Sequence, residues 1–114
     1  MSIDLPNGGN ARIKNNVIEQ GPLSDNPGII DFGEEGSVYS SSSLQISGNQ
    51  ILNDMSSSSA LAVWNAAVTT TAQITSNQFY GLSSSQIASG SATQSNNLFL
   101  TTEPALITTH PWSY

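Results

Sequence analysis

Three carboxylates lie close together in the first third of the chain, and they are the residues best suited to chemistry. They are Asp31, Glu34 and Glu35. Two carboxyl groups at a set separation, one with a raised pKa, can hydrolyse a glycosidic bond, and clustered carboxylate oxygens can bind Ca²⁺. Strand alternation directs Asp31 outward, but the matching position one repeat later is Ala62 or Trp64 rather than an acid. We therefore interpret the three as solvated loop acids, with catalysis and metal binding as the less favoured alternatives.

Arg12 and Lys14 alternate along one predicted strand, so both are expected to face outward. In later repeats the same face continues with uncharged polar side chains. Such a flat polar strip can bind a glycan through hydrogen bonds, or it can be a solvated sheet and nothing more. The candidate glycan-facing residues, called the polar strip below, are Arg12, Lys14, Gln45, Ser47, Gln73 and Thr75.

The residue types that most enzymes and metal sites need are scarce in this chain. It has no cysteine and one histidine, His110, which precedes Pro111 and Trp112. A zinc site needs several Cys or His ligands, and a nucleophilic serine needs a base and an oxyanion hole, so neither is expected. We expect His110 to pack over the last repeat, and we predict no catalytic residue and no cofactor.

Charge and composition disfavour two classes of partner. Eight Asp or Glu residues against two Lys or Arg give a net charge of −6, which argues against nucleic acid and against an anionic membrane surface. No apolar run approaches the roughly 20 residues of a membrane-spanning helix. Residues 1–6 lack the basic and apolar regions of a signal peptide, and the absence of cysteine leaves the compartment open.

The elements that must position these residues follow from a short phrase that occurs four times. An apolar residue precedes an asparagine by three positions, and another apolar residue follows it by two. The copies are residues 13–18, 46–51, 74–79 and 94–99, the last with Gln94 in the first apolar position. Because no single repeat can bury an apolar face alone, this self-similarity predicts stacked coils around one continuous core.

Apolar residues alternate in short groups around each copy, which predicts strands. A second kind of strand is predicted at 28–32, 60–64 and 85–88, with Ile87 in the third inward position. A helix in each coil, as in leucine-rich repeats, is disfavoured because Gly, Pro and Ser dominate the loops. In the first kind of strand, the side chains expected to point inward are Ala11, Ile13, Leu44, Ile46, Ala72, Ile74, Ala92 and Gln94.

The repeated asparagine is predicted to form a corner between strands. Asparagine tolerates the left-handed backbone of a sharp bend, and its amide can stack on that of the next coil, about 4.8 Å away, in an amide ladder. Asn15 and Gly48 beside the corner fit the same demand. Four solvent-exposed turn asparagines without stacking are the alternative. The corner residues are Asn16, Asn49, Asn77 and Asn97, separated by 33, 28 and 20 positions.

These repeated Asn-rich bends resemble the right-handed parallel β-helix family, the pectate-lyase-like superfold. Residues 3–9 and 26–36 resemble the terminal coils of larger bacterial β-helix proteins, and residues 99–104 with 110–112 resemble their close. The resemblance implies an all-β, right-handed parallel β-helix of about three to four coils. It also implies a carbohydrate-associated setting, compatible with an extracellular or periplasmic parent protein. Lyases of the superfold pair Ca²⁺-binding aspartates with a basic residue, and its hydrolases place aspartates on neighbouring coils; neither constellation is visible in the sequence.

We expect a single domain over residues 1–114, as a fragment or truncated form of a longer protein. Residues 1–10 are its expected N-terminal edge segment and residues 101–114 its C-terminal capping tail. Each end of a β-helix exposes unpaired backbone groups and an apolar cross-section, so another copy is expected to cover it. The predicted function is a non-catalytic scaffold or interaction module that self-assembles through its coil ends, with a polysaccharide as a candidate ligand. A degenerate polysaccharide lyase or hydrolase is the alternative.

Overall fold

The computed structural model describes residues 2–24, 26–36, 39 and 41–104. A single turn of 3₁₀ helix, Ser84–Gln86, is the one helical element within these ranges. No helix there is long and apolar enough to cross a membrane. The strands are β1 (Ile3–Leu5), β2 (Asn10–Lys14), β3 (Val17–Gln20), β4 (Gly28–Phe32), β5 (Ser43–Ser47), β6 (Gln50–Asn53), β7 (Leu61–Asn65), β8 (Ala72–Thr75), β9 (Gln78–Tyr80), β10 (Ala88–Ser89), β11 (Ala92–Ser95) and β12 (Leu98–Leu100).

The strands form three four-stranded sheets, and the chain passes through the sheets in the same order four times. Sheet 1 contains β1, β4, β7 and β10; sheet 2 contains β2, β5, β8 and β11; sheet 3 contains β3, β6, β9 and β12. Every pairing is parallel. The prediction of an all-β fold made of stacked parallel strands is confirmed, and this topology is consistent with a parallel β-helix.

The core lies between the sheets and is built from columns of equivalent side chains. Ile13, Ile46 and Ile74 occupy one register column in sheet 2, and all three are buried. Sheet 3 adds a column in which Ile51 pairs with Phe79. Parallel in-register pairing puts identical positions one above the other, so a repeated phrase becomes a continuous apolar stack.

In the last coil one expected inward residue, Gln94, is exposed, and the register of one strand differs, although Ile87 is buried in the core as expected. Gln94 pairs with Ile74 in the inner column but is exposed, because its strand β11 is at the end of its sheet. Ala88 rather than Ile87 pairs with Val63. The predicted strand at 85–88 begins instead as the 3₁₀ turn.

Local side-chain bonding explains the 3₁₀ turn. The Ser83 backbone N–H donates to Oε1 of Gln86 at 2.9 Å, and the Gln86 N–H donates back to the Ser83 carbonyl at 2.9 Å. Short polar side chains that bond to nearby backbone groups in this way compete with the hydrogen bonds between strands. Gln86 also donates through Nε2 to the Ala60 carbonyl at 3.2 Å, which ties the turn to the preceding coil.

The four corner asparagines form a ladder of amide hydrogen bonds. Nδ2 of Asn16 donates to Oδ1 of Asn49 at 3.1 Å, Asn49 donates in the same way to Asn77 at 3.0 Å, and Asn77 to Asn97 at 3.2 Å. The backbone N–H of each donor residue bonds the same oxygen, at 2.9 to 3.0 Å. In the second, third and fourth rungs the other Nδ2 proton reaches back to the preceding coil, as from Asn49 to the Ile13 carbonyl at 2.8 Å.

The left-handed backbone of the corner does not lie at the ladder asparagine itself but at its neighbour, as expected for Asn15 and Gly48. In each coil it is the residue before the ladder asparagine: Asn15 (φ 60°), Gly48 (φ 69°), Ser76 (φ 59°) and Asn96 (φ 57°). The ladder asparagine itself is free to use both ends of its amide because it does not make the bend. In each coil the bend and the ladder are therefore made by two neighbouring residues and not by a single one.

Candidate functional site

A surface cavity of about 600 Å³ lies on the outer face of sheet 1. Its volume is in the range of small-molecule binding pockets. One register column supplies its floor, since Asp31 pairs with Trp64 and Trp64 with Ser89. The residues that line it include Pro27, Asp31, Glu34, Leu61, Trp64 and Ser89.

Asp31 is not a solvated loop acid, so that interpretation is wrong for this residue. Its side chain is 1% exposed, and its Oδ1 atom has no hydrogen-bond partner. The carboxylate lies directly over Gly28, where an added Cβ would overlap Oδ1. Alternation alone puts Asp31 on the outer face, but residues of the neighbouring loop line the same cavity and exclude solvent from it.

Asp4 completes a group of three acids on this face. It pairs with Asp31 in the strand register, one coil earlier. A sequence signal for it exists, because Ile3-Asp4-Leu5 repeats the pattern of residues 30–32. The acid stacked on Asp31 therefore lies in the preceding coil, whereas the following coil has Trp64 at the matching position.

Burial raises the pKa of Asp31, the positive charge of the N-terminal amine offsets part of that rise, and the negative charge of Asp4 adds to it. The pKa of Glu34 is also raised, first by burial, then by a hydrogen bond with the Asp4 carboxyl and by the charges of Asp4 and Asp31. Two carboxyl groups can share a hydrogen bond only when one of them holds a proton, which agrees with the direction of the shift. Glu35 is exposed.

The polar strip lies on sheet 2. Arg12 pairs with Gln45, which pairs with Gln73, and Lys14 heads a second column. The second column continues through Ser47 and Thr75. Arg12, Lys14 and Gln73 are exposed, and the other three strip residues are half-buried.

A second acidic group was missed from the sequence. Ligand atoms of Glu19, Asp54 and Glu103 lie within 4.8 Å of one another. Burial raises the pKa of Glu103, with contributions from a hydrogen bond to Asp54 and from the charges of Asp54 and Glu19. Carboxylate oxygens at this spacing suit Ca²⁺, although exposed acidic groups of this kind are common without an ion.

The positions of the three acids in the chain explain why sequence reasoning did not find them. Glu19 lies on β3 in the first coil, Asp54 follows β6 in the second, and Glu103 follows β12 in the fourth. The chain after β12 therefore turns back along sheet 3 toward the first coil. The predicted capping role of His110 and Trp112 falls on residues 105–114, which lie outside the described part of the chain.

The combination of parallel sheets, an asparagine ladder and an acidic cavity beside a tryptophan can be compared with known proteins. No protein-family model, curated protein or solved structure matches this chain. The resemblance to the pectate-lyase-like superfold therefore rests on the repeated bends and on the sheet topology.

Proposed function

We propose that this chain is a non-catalytic, right-handed parallel β-helix module that assembles head to tail with further copies of itself. The hand follows from the strong preference of parallel crossovers for right-handed connections. The observation that carries the assembly is the direction of the asparagine ladder. Every rung donates from one coil to the next, so the two ends of the ladder are chemically different.

The last rung offers donors and the first rung offers an acceptor. Asn97 donates to the Ile74 carbonyl at 3.0 Å and has no following asparagine to bind. At the other end, Asn16 donates to Asn49 and receives no bond from an earlier asparagine. A second copy stacked below the fourth coil would bring its own Asn16 oxygen to the Asn97 donors and continue the ladder.

Apolar residues at the two ends match in the same way. Val17 and Leu98 are the first and last members of one register column, and they are 52% and 54% exposed. Phe99 is 42% exposed and stacks on Phe79 with ring centroids 5.8 Å apart. Head-to-tail stacking would cover Leu98 with Val17, and Phe99 with Ile18, of the next copy. Burying these side chains supplies a driving force that the isolated chain lacks.

Such a contact uses different surfaces on the two copies, so it can repeat indefinitely along one axis. The net charge of −6 opposes it, because neighbouring copies repel. Added salt screens that repulsion and should lengthen the assemblies.

Sedimentation at rising protein concentration tests the proposal. We expect the mean mass to increase between about 1 and 100 µM and to increase further with salt. Phe99→Asp and Asn97→Asp should reduce the mass to that of a monomer, whereas Val68→Asp, the same type of charge change in an exposed loop, should not. A monodisperse monomer across the range, for the unaltered chain in high salt, contradicts the assembly.

The polar strip is the candidate glycan-binding surface of this module. Its exposed columns present side-chain amides, hydroxyls and two positive charges on a continuous sheet face. Binding without turnover on a glycan array, weakened by Gln73→Ala, would support this part of the proposal. Equal binding by the variant would assign recognition to another surface.

A polysaccharide hydrolase is the second candidate, and the cavity on sheet 1 favours it. Asp31 and Glu34 both have a raised pKa, which is the property a general acid needs. Incubation with a panel of polysaccharides decides between the two functions. Release of reducing or unsaturated sugars that is lost in Asp31→Asn would establish an enzyme, and no release from any substrate supports the module.

A further inference from the structure

We propose that the cavity on sheet 1 binds an organic cation, meaning a primary ammonium or guanidinium group carried on an apolar body. The site is independent of the coil ends, so it does not depend on the head-to-tail assembly. Three features of the cavity carry the inference: an unpaired buried carboxylate oxygen, an aromatic and aliphatic wall, and a local excess of negative charge.

The unpaired oxygen is Oδ1 of Asp31. A buried polar atom without a hydrogen bond is rare in a folded protein, because its desolvation is not offset. Glu34 adds a second buried oxygen without a partner, Oε2, on the same cavity. Asp31 and Glu34 both line the cavity, so a ligand group with several N–H donors can reach two carboxylates that each have an unpaired oxygen. Charged donors form the strongest bonds to carboxylates.

Part of the cavity lining beside these carboxylates is apolar. Trp64 is 40% exposed and lines the cavity together with Leu61 and Pro27. The face of an indole ring attracts a cation within about 6 Å of its centroid, and the aliphatic neighbours suit the methylene groups of the ligand. Carboxylate acceptors next to an indole ring offer the two kinds of contact that an alkyl ammonium or guanidinium group makes best.

Negative charge selects a cation over a neutral ligand. Asp31 and Glu34 line the cavity, and Asp4 pairs with Asp31 in the strand register. The charge of Asp4 disfavours ionisation of Asp31, and the charges of Asp4 and Asp31 disfavour ionisation of Glu34, while the positive N-terminal amine partly offsets the effect at Asp31. A bound positive charge relieves this repulsion and lowers the pKa of the carboxyls that face it. A bare metal ion is less suited, because the acidic trio whose oxygens converge within 4.8 Å, among residues 2–24, 26–36, 39 and 41–104, is Glu19, Asp54 and Glu103 instead.

Nuclear magnetic resonance titration with agmatine, which carries both an ammonium and a guanidinium group on a butyl chain, tests the site. We expect saturable shifts of the Trp64 indole N–H and of the Gly28 and Ser89 amides below about 10 mM. Asp31→Asn and Trp64→Leu should each weaken binding about tenfold or more, whereas Trp64→Phe should retain most of it. Asp54→Asn removes an acid from the other cluster and should leave the affinity unchanged.

Further probes separate the possible ligands. 1,4-Butanediol, a neutral molecule of similar length, should not bind, and tetramethylammonium, a cation without N–H donors, should bind more weakly than agmatine. Agmatine that fails to saturate, or that binds Asp31→Asn as well as the unaltered chain, overturns the proposal. Saturation by cellotriose or by CaCl₂ at the same amides, with no response to agmatine, overturns it in favour of a sugar or a metal site. Circular dichroism of each variant separates lost binding from lost folding.

Discussion

The asparagine ladder and the sheet 1 cavity both bury polar side chains, and they treat those side chains in opposite ways. Asn49, Asn77 and Asp31 are each 1% exposed. The Asn49 amide makes four hydrogen bonds, two through Oδ1 and two through Nδ2. Asp31 Oδ1 makes none. The asparagine side chains and the Asp31 side chain are therefore equally buried. The two regions differ in whether the buried polar atoms have hydrogen-bond partners.

The difference assigns the regions different roles. A satisfied buried amide fixes the backbone around it, since any shift of one coil breaks bonds to two others. An unsatisfied buried carboxylate lowers stability, and such costs persist where they serve binding or catalysis. The ladder is also uniform along all four coils, whereas the column through Asp31 changes from Asp4 to Trp64 and Ser89. Uniform columns hold the fold together, and the irregular column is where specificity can reside.

The largest expected effect is on the ladder. Asn49→Ala removes all four hydrogen bonds, so the Asn16 N–H and the Ile13 carbonyl each lose the bond they make to the Asn49 side chain. We expect the free energy of unfolding to fall by about 3 to 5 kcal/mol, because several buried groups lose their bonds together. Urea unfolding monitored by circular dichroism measures it.

Asn97→Ala is the matched control for that prediction. Asn97 ends the ladder and is half-buried, so its loss should cost less than half as much. Equal costs at Asn49 and Asn97 would show that the ladder does not act through its buried interior rungs.

A smaller effect of opposite sign is expected in the cavity. Asp31, Glu34 and Glu103 all have a raised pKa in the folded chain, with burial as the first cause. Above their ordinary values of about 4, the folded chain holds more protons than the unfolded chain, so stability falls as pH rises through the raised pKa values. The contribution is fully present below about pH 4 and lost toward neutral pH.

Asp31→Asn removes one of these groups. The variant should be more stable than the unaltered chain at pH 7, by roughly 1 kcal/mol, and its stability should depend less on pH. Thermal unfolding between about pH 4 and 8 measures both changes. A less stable variant at pH 7 would mean that the Asp31 carboxylate is satisfied in solution, and the contrast with the ladder would disappear.

The smallest effect concerns the residue before each ladder asparagine. Ser76 adopts φ 59°, a left-handed conformation that strains most side chains. Ser76→Gly should raise the free energy of unfolding by about 0.5 to 1 kcal/mol. The reciprocal change, Gly48→Ala, should be destabilising, since an added Cβ would overlap Oδ1 of Asn15. Urea unfolding of the pair, with no gain for Ser76→Gly, would imply that the corner is set by the ladder alone.

The sequence carries the fold and only part of the candidate sites. The inner columns follow from the repeated phrase because each position recurs at a fixed offset from asparagine, so Ile13, Ile46 and Ile74 can be aligned without coordinates. In the last coil Gln94 is exposed because its strand is at the open end of the sheet. Ile87 is buried as expected, but the local 3₁₀ turn makes Ala88 rather than Ile87 the register partner of Val63. Local periodicity does not describe what happens at a boundary.

Burial of the outer face cannot be obtained in the same way. The seclusion of Asp31 depends on loop residues that pack over it from outside the strand pattern, and alternation reports only which side a residue faces. Glu19, Asp54 and Glu103 meet because the chain reverses after β12. The repeat pattern encodes the stacking of Asp4 on Asp31, whereas the enclosure of that site and the whole of the second acidic group depend on where the loops lie.

The shortest coil, the 20 residues from Asn77 to Asn97, shows how little chain one turn of this architecture requires. Its strands and its corner asparagine bond to the preceding coil through the same atoms as in the longer coils. The extra residues of the longer coils lie in loops. Residues 78–97 therefore form one complete repeat unit. Duplicating them should add one coil to the molecule without changing the coils on either side. The residues of one coil determine the cross-section of such a fold, but they do not determine how many coils it contains. The number of coils must be set by other features of the chain.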